Sequence, residues 1–292
     1  MNRRSSMLYG YAFALPAVLF ILVFMAWPIF ESLRMSFFKW DGLTPAEFIG
    51  LDNYTKLLLD DPVFALAVRN TFLFSLLSVL GIVGMGFFLA LAVERRVPGW
   101  KTFKVVWFLP VMLSQTVVSI LWVKFFDPTQ GIVNSLLRTI GLGSLTAEWL
   151  SDPSVVMYSV AFVSVWQYSG YAMLLLLAAM EGIAPEIHDA ATIDGVGGIR
   201  RIVSIIFPII KSVFSVVVML ITMGSLKTFD TIYVLTGGGP GDASIVLSLH
   251  LYKNAFKYYS FGYASAVSTI MFIILFCASF LYQNLLKHEE LY

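Results

Sequence analysis

Five stretches of this 292-residue chain run for 19 residues or more without a single Asp, Glu, Lys or Arg. They are Ser5–Phe30, Asn70–Val93, Val105–Val123, Pro153–Met180 and Tyr258–Leu286, of 26, 24, 19, 28 and 29 residues. A helix needs about 20 apolar residues to cross roughly 30 Å of hydrocarbon, so each can span a bilayer. A sixth stretch, Ser212–Leu226, holds only 15 residues between Lys211 and Lys227, about 22 Å of helix. Ile205–Ile210 is apolar as well, which puts Lys211 near one interface with its ammonium snorkelling outward. The expectation is an all-α polytopic protein of six membrane helices near residues 8–30, 70–93, 105–124, 155–180, 205–228 and 262–286. These form a single transmembrane domain covering 1–292, and the fifth helix is the shortest in charge-free length.

Composition agrees: 59% of residues are hydrophobic and 13% charged, with mean hydropathy +0.83, against roughly 45–50% and 25% in soluble domains. A net charge of +1 supplies no global field to draw in nucleic acid or anionic lipid. The single cysteine, Cys277, lies in an apolar run and is expected to be a buried, inert thiol. Arg3 and Arg4 ahead of the first stretch suggest a secretory signal. The stretch is longer than such signals carry, however, and no small-residue cleavage site precedes Trp27-Pro28, so an uncleaved span is expected.

Lys and Arg in the connections set orientation. With the N-terminus inside, ten lie on the inner side and nine on the outer. The inner ones crowd into short segments, notably Glu94–Lys104, and this favours cytoplasmic N- and C-termini. The outer connections hold turn chemistry, including Asp41-Gly42, Asp61-Pro62, Asp127-Pro128, Asp152-Pro153 and the run Thr236–Gly241. Beyond that run, Ile245, Leu249, Tyr252 and Phe256 recur at helical spacing as one apolar face.

Several chemistries lack their residues. No Gly-x-x-x-x-Gly-Lys-Ser/Thr sequence occurs, so this chain has no phosphate-binding loop of that kind. His188, His250 and His288 are scattered in segments expected to face solvent, and metal-ligand spacing is missing. Gly81, Gly84 and Gly86 read as close helix packing in the second span. No catalytic constellation lies in a span, which speaks against an enzyme.

Residues 181–208 are too long for a plain connector between adjacent spans, which usually takes about 2–8 residues. Pro185 followed by Glu186 and Asp189 suits a helix start, and Gly195 with Gly197-Gly198 breaks it before a second helix enters span five. Periodicity alone leaves two readings open, a docking insertion or an interfacial helix that only anchors span five.

Asp189-Ala190-Ala191, Gly195, Ile205, Phe207 and Pro208 resemble the signature loop of bacterial ABC importer membrane subunits: Glu-Ala-Ala, three residues, Gly, nine residues, Ile-x-Leu-Pro. Every interval matches; Asp189 replaces the usual Glu and Phe207 the usual Leu. The loop, together with Leu15-Pro16, Gly50–Tyr54 and Phe229–Pro240, is similar to the maltose-type sugar permeases.

The resemblance implies a type I importer permease fold in a bacterial inner membrane. It implies a coupling helix, with Glu186, Asp189, Ala190, Ala191, Asp194, Gly195, Ile205 and Pro208 carrying the contact to the ATPase. The partners implied are a related second membrane subunit, two ATPase copies that hold ATP and Mg, and an external solute-binding protein meeting the outer loops. By distance from the signature loop, Ser164, Gln167, Tyr168, Tyr171, Gly224, Ser225 and Thr228 resemble sugar-contacting positions. Helix–helix hydrogen bonding is the competing account of each. Lys227 and Asp230 are expected to form an i,i+3 pair or to meet an anionic solute. The solute class is a mono-, di- or oligosaccharide or a sugar-like polyol or phosphate. A six-span secondary transporter or channel is the alternative, although no inverted repeat or acidic relay marks one.

Overall fold

The long charge-free runs fold as helices because the backbone inside a bilayer must satisfy its own hydrogen bonds. The computed structural model describes residues 13–96 and 98–289, with side-chain surroundings through residue 284. In chain order the helices are α1 (Phe13–Met35), α2 (Asp52–Thr55), α3 (Pro62–Glu94), α4 (Trp100–Phe108), α5 (Gln115–Phe125), α6 (Ile132–Thr139), α7 (Val156–Glu181), α8 (Pro185–Ile193), α9 (Gly198–Leu226), α10 (Asp230–Leu235), α11 (Leu247–Tyr252) and α12 (Phe261–Glu289). Two-residue strands β1 (Phe38–Lys39) and β2 (Glu47–Phe48) pair antiparallel in the first outer connection.

Among the described residues five helices are long and apolar enough to cross a membrane, and a sixth crossing needs α4 and α5 together. The fifth expected span is a continuous 29-residue helix, because Gly198–Ile210 extends the short charge-free run. The third is the irregular one: Trp100–Met112 and Gln115–Phe125 meet at 101°. Pro110 lacks an N–H, Leu109–Met112 tightens to 3-10 geometry, and Leu113 and Ser114 are extended, with ψ of 146° and 144°. Ser114 then caps α5 by accepting from the Val117 N–H at 3.3 Å. Pro28 and Pro208 are accommodated differently. A π turn precedes Pro28 at Leu22–Ala26 and Pro208 at Ile202–Ile206, so each helix continues past the missing donor.

The chain forms two units, 63–249 with 274–292, and 1–62 with 250–273. The larger has its core between α3, α7 and α9, where Ile82, Ala90, Met173, Leu176, Ile210 and Val217 are buried together. Gly81 and Gly86 lie where a Cβ would meet Val165 at 2.4 Å and Ala172 at 2.6 Å, so helix contact accounts for them; Gly84 faces open space. Gly170 is tighter still, its absent Cβ lying 2.2 Å from the Trp107 carbonyl oxygen. That proximity seats α4 on α7, where Trp107 Nε1 donates to Ser169 Oγ at 3.0 Å.

The smaller unit is organised by Asn53, which donates to the carbonyls of Ser36 at 2.8 Å and Phe38 at 2.9 Å. His250, expected in solvent, is only 5% exposed. Its Nε2 lies 3.2 Å from Asp61 Oδ2, which also accepts from the Tyr263 hydroxyl. A folded outer connection, rather than an open loop, explains this burial. Cys277 departs in the opposite direction and is exposed on α12, since a helix apolar on all sides carries no pattern marking its packed face. Residues 13–30 of α1 are exposed throughout, so only lipid or another apolar surface can cover them.

Candidate functional site

Within the larger unit a cavity of about 530 Å³ opens between α3, α7, α9 and the bent α4–α5 pair. Tyr168, Tyr171 and Ser164 reach it from α7, and Gly224 and Ser225 from the end of α9, with Thr228 just beyond. Six of the seven residues expected on the solute path therefore line one space. The seventh does not. Gln167 is 1% exposed, and its Nε2 donates to the Leu113 carbonyl at 3.3 Å. Leu113 sits at the bend, where a broken helix frees a carbonyl that must find a new donor. Gln167 stabilises the bend and is absent from the cavity wall.

The bend brings Val111 and Gln115 to the cavity, and α3 adds Phe74, Ser78 and Ile82. Pro110 followed by Ser114, a proline and an N-cap residue inside a charge-free run, is the signal that could have found the α4–α5 contribution. Gln115 Nε2 donates to Thr231 Oγ1, bracing α5 against α10. Ser225 Oγ shares a hydrogen with Ser75 Oγ at 2.7 Å, so its hydroxyl already joins two helices. Ser78 Oγ is buried and has no hydrogen-bond partner among the described residues, which leaves its capacity for a guest or water.

Lys227 and Asp230 line the same cavity and are both exposed. The expected i,i+3 pair is not formed: among the described residues no ion pair joins them. α9 ends at Leu226 and α10 starts at Asp230, so the two side chains do not share one helical face. The lining as a whole combines two tyrosine rings, hydroxyls, an amide and one charge of each sign.

The outer glycine run beside this site is ordered. Thr236 Oγ1 contacts Ser244 Oγ at 2.7 Å, and Ser244 Oγ donates to the Gly239 carbonyl at 2.6 Å, closing a turn that holds a cis Gly239-Pro240 bond. Asn70 of α3 donates to the carbonyls of Ala243 and Ile245 at 3.0 Å each. Ile245 and Leu249 of the expected apolar face are buried, while Phe256 is exposed.

On the other side of the helices, α8 stands out from the loop 181–208. Ala191 is its buried residue, whereas Glu186, Asp189, Ala190, Asp194 and Gly195 are exposed. Gly195 has φ +67°, and the Val196 N–H reaches the Ala191 carbonyl at 2.8 Å, the backbone closure that ends a helix on a left-handed residue. Ile193 and Ile199 project with 86% and 79% exposure. Ile205 and Pro208 belong to α9, where Phe207 packs on Phe214 at 5.3 Å.

Arg201 ties this loop to the bundle. Its Nη2 lies 2.7 Å from Glu94 Oε1 at the end of α3 and 3.2 Å from His188 Nδ1 on α8. Glu94, His188 and Arg201 are spread over 108 positions of sequence, and no local pattern connects them.

Comparison with known proteins agrees with this arrangement. Residues 82–288 match the family described as binding-protein-dependent transport system inner membrane component. The probable ABC transporter permease YurN of Bacillus subtilis is 41% identical over 280 residues, 95% of this chain and 95% of that protein. The lactose transport system permease LacF of Rhizobium radiobacter is 34% identical over 278 residues, 93% and 92% of the two chains. Among solved structures, a bacterial alginate ABC transporter in complex with an alginate-pentasaccharide-bound periplasmic protein superposes with TM-score 0.81 at 25% identity, covering 98% of this chain and 96% of that one. The type I importer permease fold expected from the signature loop is the fold found, and the chain belongs to the family of inner membrane components of binding-protein-dependent transport systems.

Proposed function

We propose that this chain is the permease subunit of an ATP-driven sugar importer and that the solute crosses through the α3–α7–α9 cavity. The observation that carries the reading is the lining itself. Tyr168 and Tyr171 offer aromatic faces for the CH patches of a sugar ring, and Ser78, Ser164, Thr228 and Gln115 offer hydroxyl and amide groups for its OH groups. The names of the relatives, one a lactose system and another an alginate importer, support a carbohydrate rather than a peptide or ion.

Energy enters from outside this chain. ATP and Mg belong to separate ATPase subunits, which we place against the exposed face of α8. Ile193 and Ile199 supply apolar contact there, and Glu186, Asp189 and Asp194 the charged rim. The Schellman-type end at Gly195 and the Arg201 contacts make the loop a stiff lever between that docking site and α9. A related second membrane subunit and the bilayer would cover α1, and the solute-binding protein would meet the outer connections. In this orientation both termini are cytoplasmic.

The test is co-purification. Gentle solubilisation of tagged protein should retain an ATPase subunit, and Gly195→Val should release it. Within this chain nothing lies near the added Cβ, so the substitution opposes the left-handed backbone of Gly195, at a cost of about 1–2 kcal/mol, and adds bulk at the docking face. Sugar screening of the co-purified binding protein then names the solute. Failure of wild-type protein to retain any ATPase, with its helices intact, would refute the reading.

A further inference from the structure

We propose that the turn joining α3 to α4 is a binding site for an anionic phospholipid, with the headgroup held by Arg96, Lys101 and Lys104 and the adjoining apolar part by a notch beneath Trp100. The reading goes beyond the import function and does not depend on it.

Three cations gather around one indole. The Arg96 guanidinium carbon lies 5.9 Å from the Trp100 ring centroid, Lys101 Nζ 5.7 Å and Lys104 Nζ 5.5 Å. Three like charges within about 6 Å of a common point repel one another, and ring contacts offset only part of that. Acidic neighbours do not balance them. Glu94, the one carboxylate in the segment, is turned to Arg201 at 2.7 Å. Among the described residues none of Arg95, Arg96, Lys101 and Lys104 pairs with an acidic side chain. The turn therefore presents an uncompensated positive cluster at the end of two membrane helices.

Beneath it lies an apolar notch of about 190 Å³ lined by Ala92, Val93, Pro98, Gly99, Trp100 and Phe103. Phe88 on α3 and Val105 and Val106 on α4 are exposed apolar side chains of the same two helices. Trp100 both lines the notch and meets the three cations, so a charged rim adjoins an apolar recess, as a phosphate headgroup adjoins the apolar part of a lipid. Basic residues at a membrane surface attract anionic lipid by about 1 kcal/mol each. A free phosphate would use the cations and leave the notch empty. An acidic protein surface would not need the apolar faces of α3 and α4.

The test uses the full chain with its co-purifying subunits. Native mass spectrometry follows added phosphatidylglycerol or phosphatidylcholine on the wild type, on Arg96→Gln/Lys101→Gln/Lys104→Gln, and on the charge-preserving Lys101→Arg/Lys104→Arg. Wild type and the charge-preserving variant should favour phosphatidylglycerol, and each charge removed should weaken its retention about fivefold. Trp100→Ala should weaken retention of the phospholipid while leaving competition by inorganic phosphate unimproved. Four results would overturn the proposal: equal retention of both lipids by wild type, unchanged retention in the triple variant, full displacement by inorganic phosphate, or a triple variant that keeps its phosphatidylglycerol and sheds a protein subunit.

Discussion

Arg201→Met removes a guanidinium that touches both α3 and α8, and the size of its effect follows from the geometry. The pair with Glu94 is short, 2.7 Å, with side-chain exposures of 31% and 15%. Exposed ion pairs contribute about 0–1 kcal/mol, whereas removing one partner of a buried pair costs about 3–5 kcal/mol. This pair lies between, and solvent at Arg201 screens part of it, so the loss is about 2 kcal/mol, roughly thirtyfold in the equilibrium for detaching the loop. Hydrogen exchange of the amides in α8 reads that equilibrium directly. Exchange there should accelerate by about thirtyfold in Arg201→Met while α7 stays protected. Glu94→Gln should reproduce most of the effect, and the double variant should add little to either single one. Unchanged α8 exchange in Arg201→Met, or full additivity with Glu94→Gln, would refute the anchoring role.

Other substitutions separate packing from solute contact. Gly170→Ala places a methyl 2.2 Å from the Trp107 carbonyl oxygen and should destabilise the detergent-purified protein by about 2–3 kcal/mol in thermal unfolding. Gln167→Leu should lower stability by about 1–3 kcal/mol, through the lost bond to Leu113, and leave the uptake KM for the solute unchanged. Tyr168→Ala with Tyr171→Ala should instead raise that KM at near-normal stability. Acid should loosen the outer connections through three aspartates held below the usual carboxylate range. The causes are the Thr44 and Leu43 amides at Asp41, the Gln130 amide with the Thr129 hydroxyl at Asp127, and the Ser154 hydroxyl and amide at Asp152. Because the folded pKa is lowered, their contribution is complete above the ordinary carboxylate pKa of about 4 and is lost as pH falls through the folded value. Limited proteolysis of these loops should therefore quicken only under strong acid, and Asp127→Asn should remove that dependence at its own turn.

Much of this was legible because a bilayer makes helix position a question of where charge is absent. Long apolar helices overlap the first, second, fourth, fifth and sixth charge-free runs, the second beginning at Pro62, ahead of Asn70, and the fifth at Gly198, ahead of Ser212. The third shows the limit: a hydropathy count is blind to direction, and the 101° bend depends on Pro110, Ser114 and a donor, Gln167, that lies 54 residues from Leu113. The same ignorance of facing misplaced Cys277. Spacing from the signature loop located six of the cavity residues, since α7 and α9 both run directly from that loop. Ser78 and Gln115 come from helices with no such ruler. His250 and Arg201 were missed for a related reason, as burial beside Asp61 or pairing with Glu94 arises only once distant segments meet.

The measurement that bears most directly on the account is ATP-dependent sugar uptake by reconstituted transporter with the cavity plugged. Gly224 lines the cavity, and nothing lies within 4 Å of where its Cβ would be, so Gly224→Trp starts from an unobstructed Cβ and adds an indole at the cavity wall. The account predicts that uptake disappears while the ATPase subunit and the solute-binding protein still associate. Undiminished uptake by Gly224→Trp would contradict it, and the solute would have to cross elsewhere.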